Sequence, residues 1–139
     1  MSEPIDLPSP GDYWSGYTVH VNDRLLASAE GSLRYFQWRC DQYPGYLDLM
    51  PVHGLDDCDV LDYGCGPGHD VVGIATYSKP RSLIGLDVSD RALAVAKRRL
   101  ALHKFGDHVT VRKLMGYSIP LPDSSVDYIH LCSVRASTA

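Results

Sequence analysis

The chain has 139 residues, 45% hydrophobic and 22% charged, with a net charge of −4 and a pI near 5.8. Those values fit one globular domain with a core of ordinary size, and they speak against a general nucleic-acid binder, which presents a basic face. No apolar run approaches the ~20 residues of a membrane span, and Met1-Ser2-Glu3-Pro4 lacks the basic-then-apolar pattern of a signal peptide, so a cytoplasmic protein is expected. Its cysteines at 40, 58, 65 and 132 are expected to be reduced. None forms a C-x-x-C pair or stands at ligand spacing from a histidine, so no metal site is expected.

Pro4, Pro8, Pro10 and Gly11 give an irregular start. Ser28 or Ser32 can cap a helix running to about Tyr43, with Leu33, Phe36, Cys40 and Tyr43 as its apolar stripe. Pro44-Gly45 breaks it, and a short piece from Tyr46 to Met50 ends before Pro51. Residues 1–57 are thus read as an N-terminal helical segment and 58–139 as the main domain.

Asp59-Val60-Leu61-Asp62-Tyr63 reads as a strand entering a glycine turn, and Gly68 to about Tyr77 as a helix weakened by Gly73. Ser82 to Asp87 is a second apolar strand. Ser89 can cap a helix from Asp90 to about Lys104, with Leu93, Ala96 and Leu100 on one face. Its dense basic cluster, Lys97-Arg98-Arg99, reads as a solvated side. Phe105-Gly106 closes it. His108–Lys113 alternates as a third strand, Pro120-Leu121-Pro122-Asp123 turns, and Val126–Cys132 is a fourth strand. Strands alternating with helices in this way imply an α/β fold with a parallel sheet.

A strand that ends in a glycine-rich turn and feeds a helix is suited to a nucleotide-like ligand, because bare backbone lets the ligand approach and the helix's first amides face it. Gly64, Gly66 and Gly68 supply those openings. Asp87, at the tip of the next strand, can accept both hydrogen bonds from a ribose diol. The run is G-x-G-x-G, and His69 stands where the third glycine of a dinucleotide fingerprint belongs. Asp62 adds a second carboxylate, which would repel a pyrophosphate but can help to hold an ammonium. The polarity suits an amino acid attached to a nucleoside.

Val60 to Gly68 resembles motif I of class I, Rossmann-like S-adenosylmethionine (SAM) dependent methyltransferases. Leu83 to Ser89 resembles the segment ending in that family's ribose-binding acid, and Ile119 to Ile129 the stretch entering its fourth strand. The likeness covers about residues 58–134. It implies a sheet in the order 3-2-1-4, a SAM-binding domain over 58–139, SAM as cofactor and a small-molecule methyl acceptor. By position it implies that Gly64, Gly66 and Gly68 line the methionine and ribose portion, with Cys65 filling the turn. Asp62 would order the loop and the amino end, Asp87 would bind the ribose, and Val88 would pack on the adenine. Cys132 and Ser133 would lie near the methionine moiety. An acid that often bonds the adenine amino group is replaced by Leu114-Met115-Gly116-Tyr117-Ser118, leaving Gly116 backbone or Tyr117 for that contact.

The family's sheet has seven strands and four are legible, so a truncated form is expected, with its fourth strand an open edge prone to self-association. No catalytic residue is evident. Methyl transfer mostly requires positioning, and a base only if the acceptor must lose a proton. His69 and His130 read as structural. Among Trp14, Tyr17, Tyr35, Phe36 and Trp38, most are expected to pack against the sheet rather than lid an acceptor pocket. Competing readings are a nicotinamide-dependent oxidoreductase and a non-catalytic SAM-binding module.

Overall fold

The computed structural model describes residues 25–131. Trp14, Tyr17, Cys132 and Ser133 lie outside them. A 3-10 turn, Leu25–Ala27, leads into α1 (Ala29–Asp41) and the four-residue α2 (Tyr46–Leu49). Then follow β1 (Asp59–Tyr63), α3 (His69–Tyr77), β2 (Ser82–Asp87), α4 (Asp90–His103), β3 (Val109–Lys113) and β4 (Tyr128–Leu131). All strand pairings are parallel, in the order β3-β2-β1-β4. This is the expected α/β, Rossmann-like architecture with flanking helices.

The caps explain the boundaries. Ser28 is extended and its Oγ accepts from the Gly31 amide at 3.0 Å, starting α1. Ser32, the other candidate cap, is buried inside the helix. Ahead of Pro44 the last turn tightens, with the Gln42 and Tyr43 amides on the Arg39 and Cys40 carbonyls, both at 3.2 Å. Tyr43 therefore falls past the helix end and is 63% exposed, not part of the apolar stripe. Ser89 caps α4 through Ala92 N, and Lys104 closes it in the left-handed region at φ 56°. β4 begins at Tyr128, two residues later than expected, because Asp127 serves as its bracket. The Asp127 amide donates to the Asp59 carbonyl and its Oδ2 accepts from the Asp59 amide, both at 2.8 Å.

Strand alternation gives the sheet two unlike faces. One carries Val60, Leu83, Val109, Val111 and Tyr128, packed with Phe36 of α1, Val71 and Ile74 of α3 and Leu93 and Ala96 of α4. The other carries Leu61 and Leu86, packed with Leu114, Leu121 and Val126 of the connecting segments. α1 reaches the first face because Gly73 of α3 has no side chain. A Cβ there would collide with the Phe36 ring. Gly73, which weakens α3 as a helix, is thus the seat for the buried aromatic of α1.

The basic cluster departs from expectation too. Lys97 and Arg98 are exposed, but Arg99 is completely buried. It points toward α1 rather than toward solvent. Its guanidinium finds Ser32 Oγ, the Ser32 carbonyl, the Pro67 carbonyl and His69 Nδ1 within 2.8–3.1 Å. A run of like charges was legible; which one turns inward was not.

Candidate functional site

The turn between β1 and α3 is fixed by its own backbone. Gly64 N and Cys65 N both donate to the Leu86 carbonyl, at 2.7 and 2.9 Å, and Gly68 N donates to the Cys65 carbonyl at 3.0 Å. Gly66 has φ 54°, and a Cβ there would meet nothing within 4 Å, so the turn opens onto free space at that point. Gly68 is constrained twice. Its φ is 84°, and a Cβ would stand 3.2 Å from that of Ala96, so its bareness permits both the turn and the approach of α4. Gly68 is also the N-cap of α3 and offers no capping side chain, so the first amides of α3 keep the character of an anion-facing helix end.

Asp87 closes the turn. Its Oδ2 accepts from the Gly66 amide and its Oδ1 from the Ser89 amide, each at 2.8 Å. Each oxygen retains a further lone pair. Asp87 is therefore on the turn's side of the sheet and next to its open point. Asp62 stands on the helix-covered face in register with Gly85 and His130, and it is buried. Burial raises its pKa well above the usual carboxylate range, and the charges of Asp70 and Asp87 raise it further against an opposing Arg39.

The other expected residues fall in two groups. Cys65 is buried in the turn, its thiol pKa raised by burial, and a Cβ on Gly85 would lie 2.8 Å from its sulfur. It packs the turn onto β2 rather than presenting a nucleophile. Val88 packs beside Leu61, Leu86 and Leu114 on the loop-covered face. The amide of Leu114 donates to the Asp87 carbonyl at 2.8 Å, which roots the next loop beside Asp87. Gly116 and Tyr117 follow in that loop, and Tyr117 is 89% exposed, so its ring adds no packing to the turn. Cys132 and Ser133 lie outside the described residues.

A buried polar cluster lies beneath the turn; in the sequence its two histidines read as structural and its Arg99 as solvated. Asp70 Oδ1 accepts from Arg39 at 2.8 Å, while its Oδ2 accepts from Tyr46 OH at 2.6 Å and from His130 Nε2 at 2.9 Å. Burial opposes ionisation of Asp70. The His130 hydrogen bond, the Arg39 charge and the Tyr46 hydroxyl outweigh it and hold the carboxyl at about 2. His130 Nδ1 is hydrogen-bonded to Tyr128 OH at 3.2 Å. Arg99 can only donate, so His69 Nδ1 is an acceptor and the imidazole is neutral. Burial first, then Arg99 and Arg39, depress its pKa to about 3. Both histidines are structural, as their surroundings in the sequence suggested. The signal for Asp70 and Arg39 was weak: isolated charges on otherwise apolar helix faces.

The chain matches the methyltransferase domain family over residues 60–138, more than half its length. A ubiquinone biosynthesis O-methyltransferase of Nitrosomonas europaea is 38% identical over 69 residues, 50% of this chain and 27% of that protein. A demethylmenaquinone methyltransferase of Symbiobacterium thermophilum is 30% identical over 69 residues, 49% of this chain and 28% of that protein. The chain thus spans about a quarter of the length of these relatives. The crystal structure of geranyl diphosphate C-methyltransferase from Streptomyces coelicolor A3(2), with S-adenosyl-L-homocysteine bound, shares the fold at a TM-score of 0.60 and 20% identity, covering 86% of this chain and 51% of that one.

Proposed function

Because the chain belongs to the methyltransferase domain family, which uses S-adenosyl-L-methionine, we propose that it carries the SAM-binding part of a methyltransferase acting on a small molecule. The observation that carries this reading is the Asp87 carboxylate, drawn against the glycine turn by the Gly66 amide, with Asp62 buried on the same sheet face. These residues fit the group. The open space at Gly66 lets a ligand reach the backbone, Asp87 has lone pairs for a ribose diol, and Asp62 is a desolvated carboxylate in need of a cation such as an amino group.

When bound, SAM supplies an electrophilic methyl group on a sulfonium. The chain's own residues orient and shield. Gly64, Gly66 and Gly68 give backbone access, Cys65 packs the turn, and Val88 provides an apolar wall on the adenine side. By the family's pattern Gly116 and Tyr117 of the next loop would serve the same side, and Cys132 and Ser133, outside the described residues, would serve the methionine end. The family's pattern would put the N-terminal segment, 1–57, on the acceptor side; of it the structure describes residues 25–57. Positioning supplies most of the rate acceleration in such an in-line displacement. The names of the two relatives make a quinone-ring precursor the first acceptor to try. Self-association through the β4 edge, unpaired among the described residues, belongs to the same reading.

Calorimetric titration with S-adenosyl-L-homocysteine (SAH), SAM and NAD tests it. Binding of SAH and SAM without NAD is expected. Binding of NAD alone would overturn it in favour of an oxidoreductase.

A further inference from the structure

The matched family region begins at Val60, yet the turn is not held by that region alone. α1 presents Ser32, Tyr35, Phe36 and Arg39, spaced i, i+3, i+4 and i+7, to its neighbours: Ser32 to Arg99 of α4 and the other three to the first turns of α3. Phe36 fills the seat at Gly73. The Tyr35 ring stacks on His69 at 4.9 Å between centroids and 22° between planes. Arg39 reaches Asp70.

Arg99 joins the two systems. From α4 it donates Nε to Ser32 Oγ at 2.8 Å and Nη2 to the Ser32 carbonyl at 3.1 Å. From the same planar group it donates Nη1 to the Pro67 carbonyl at 3.0 Å and to His69 Nδ1 at 2.8 Å. Pro67 lies between Gly66, whose amide meets Asp87, and Gly68, which starts α3. A rigid guanidinium fork thus ties a backbone atom of the turn to a helix 35 residues earlier in the chain. Burying an arginine without a carboxylate is costly, and among the described residues the guanidinium bonds only Ser32, the Pro67 carbonyl of the turn and His69, the first residue of α3.

We propose that Arg99 is a positioning residue for the methyl-donor turn, holding the Pro67 carbonyl and His69 to Ser32 so that the shape of the turn depends on α1. The proposal rests on the SAM-binding reading for its functional consequence. Arg99 does not touch the ligand; it sets where the amides of Gly66 and Gly68 point. α1 is then part of the cofactor site, although it precedes the matched region.

The test compares the full chain with Arg99→Lys, Arg99→Met and Ser32→Ala. SAH affinity is read by calorimetry at a temperature where circular dichroism shows each variant folded. Amide hydrogen exchange of Gly66 and Gly68 is read alongside. Loss of charge-assisted hydrogen bonds predicts an SAH Kd raised at least about thirtyfold in Arg99→Met. The shift should be about three- to tenfold in Ser32→Ala, which keeps the Ser32 carbonyl as an acceptor, with Arg99→Lys between the two. Exchange at Gly66 and Gly68 should accelerate in the same order. A residue that merely stabilised the fold would lower Tm and leave Kd and exchange at those amides unchanged in the folded variants, and that result overturns the proposal. Should Arg99→Met not fold, Ser32→Ala and Arg99→Lys carry the test with the same expected order. If wild type binds no SAH, the SAM reading fails by itself. The positioning claim then stands or falls on exchange at Gly66 and Gly68, faster in the variants or unchanged.

Discussion

The two faces of the sheet are built by different means. The face beneath α1, α3 and α4 is closed by helices and bolted by buried polar groups: Arg99 on Ser32, Pro67 and His69, and Asp70 on Arg39, Tyr46 and His130. The opposite face is covered, among the described residues, by the segment between β3 and β4. Near β4 that cover is partial. Ile129 and Leu131 are 48% and 54% exposed, and a cavity of about 240 Å³ lies among Leu61, Ile119, Leu121, Pro122, Val126 and Ile129. Helical cover can bring several spaced side chains onto one buried charge, whereas a short segment cannot. Of the residues proposed to hold the ligand, Asp62, Asp87 and the glycine turn belong to the bolted side, and Val88, Gly116 and Tyr117 to the loop-covered one. Order at the turn is therefore supplied by the helix layer.

The sharpest way to break this contrast is to remove a bolt. Asp70→Ala leaves the partly buried Arg39 without its carboxylate and the buried His130 without an acceptor, so a loss of about 3–5 kcal/mol is expected in denaturant unfolding. Gly73→Ala presses a methyl into the Phe36 ring and should cost about 1–3 kcal/mol. In a Phe36→Leu background the penalty should shrink, and an unchanged penalty would show that Phe36 is not the obstacle.

Acidification attacks the same side. The native pKa of His69 lies at about 3 against 6.5 in the unfolded chain, so between those values the unfolded state binds the extra proton. Stability should fall as pH drops from 6.5, by up to about 1.4 kcal/mol per pH unit from this group. Asp70, depressed from 3.8 to about 2, adds to the loss only below pH 3.8. Asp62 has the opposite sign, since its raised native pKa makes its contribution fade as pH rises. Because Asp62 contributes equally to both, melting curves between pH 6.5 and 5 should show wild type losing stability relative to His69→Gln, whose amide oxygen can still accept from Arg99.

Asp62→Asn separates stability from binding. Removing a desolvated carboxylate should leave Tm unchanged or raise it, while SAH affinity falls about tenfold by loss of a charge partner. Parallel losses in both would mark Asp62 as structural. The smallest effect belongs to the open face. Leu131→Lys, at an exposed edge position, should change stability by no more than about 0.5 kcal/mol and reduce self-association in sedimentation.

The strands, the caps at Ser28 and Ser89 and the glycine turn were legible because each is written in local chemistry. Period-two apolar runs, hydroxyls ahead of helices and bare backbone at a bend need no distant partner to be recognised. Asp87 was legible for the same reason, one strand from the turn. Ser32, Arg39, Tyr46, Asp70 and Arg99 were not read as one assembly, since their meaning depends on residues up to 67 positions away. Arg99 shows the limit most plainly. Between Arg98 and Leu100 it looks like one more solvated cation, and local sequence carries no sign of which way it points. Its burial is settled by the packing of α1 against α3 and α4, where Ser32 and Pro67 offer the acceptors that make a buried guanidinium tolerable. By itself the sequence determined the elements, their order and the turn that meets the ligand; the tertiary structure alone decided which charges would be buried to hold that turn, because desolvation is tolerated only where partners from several elements converge.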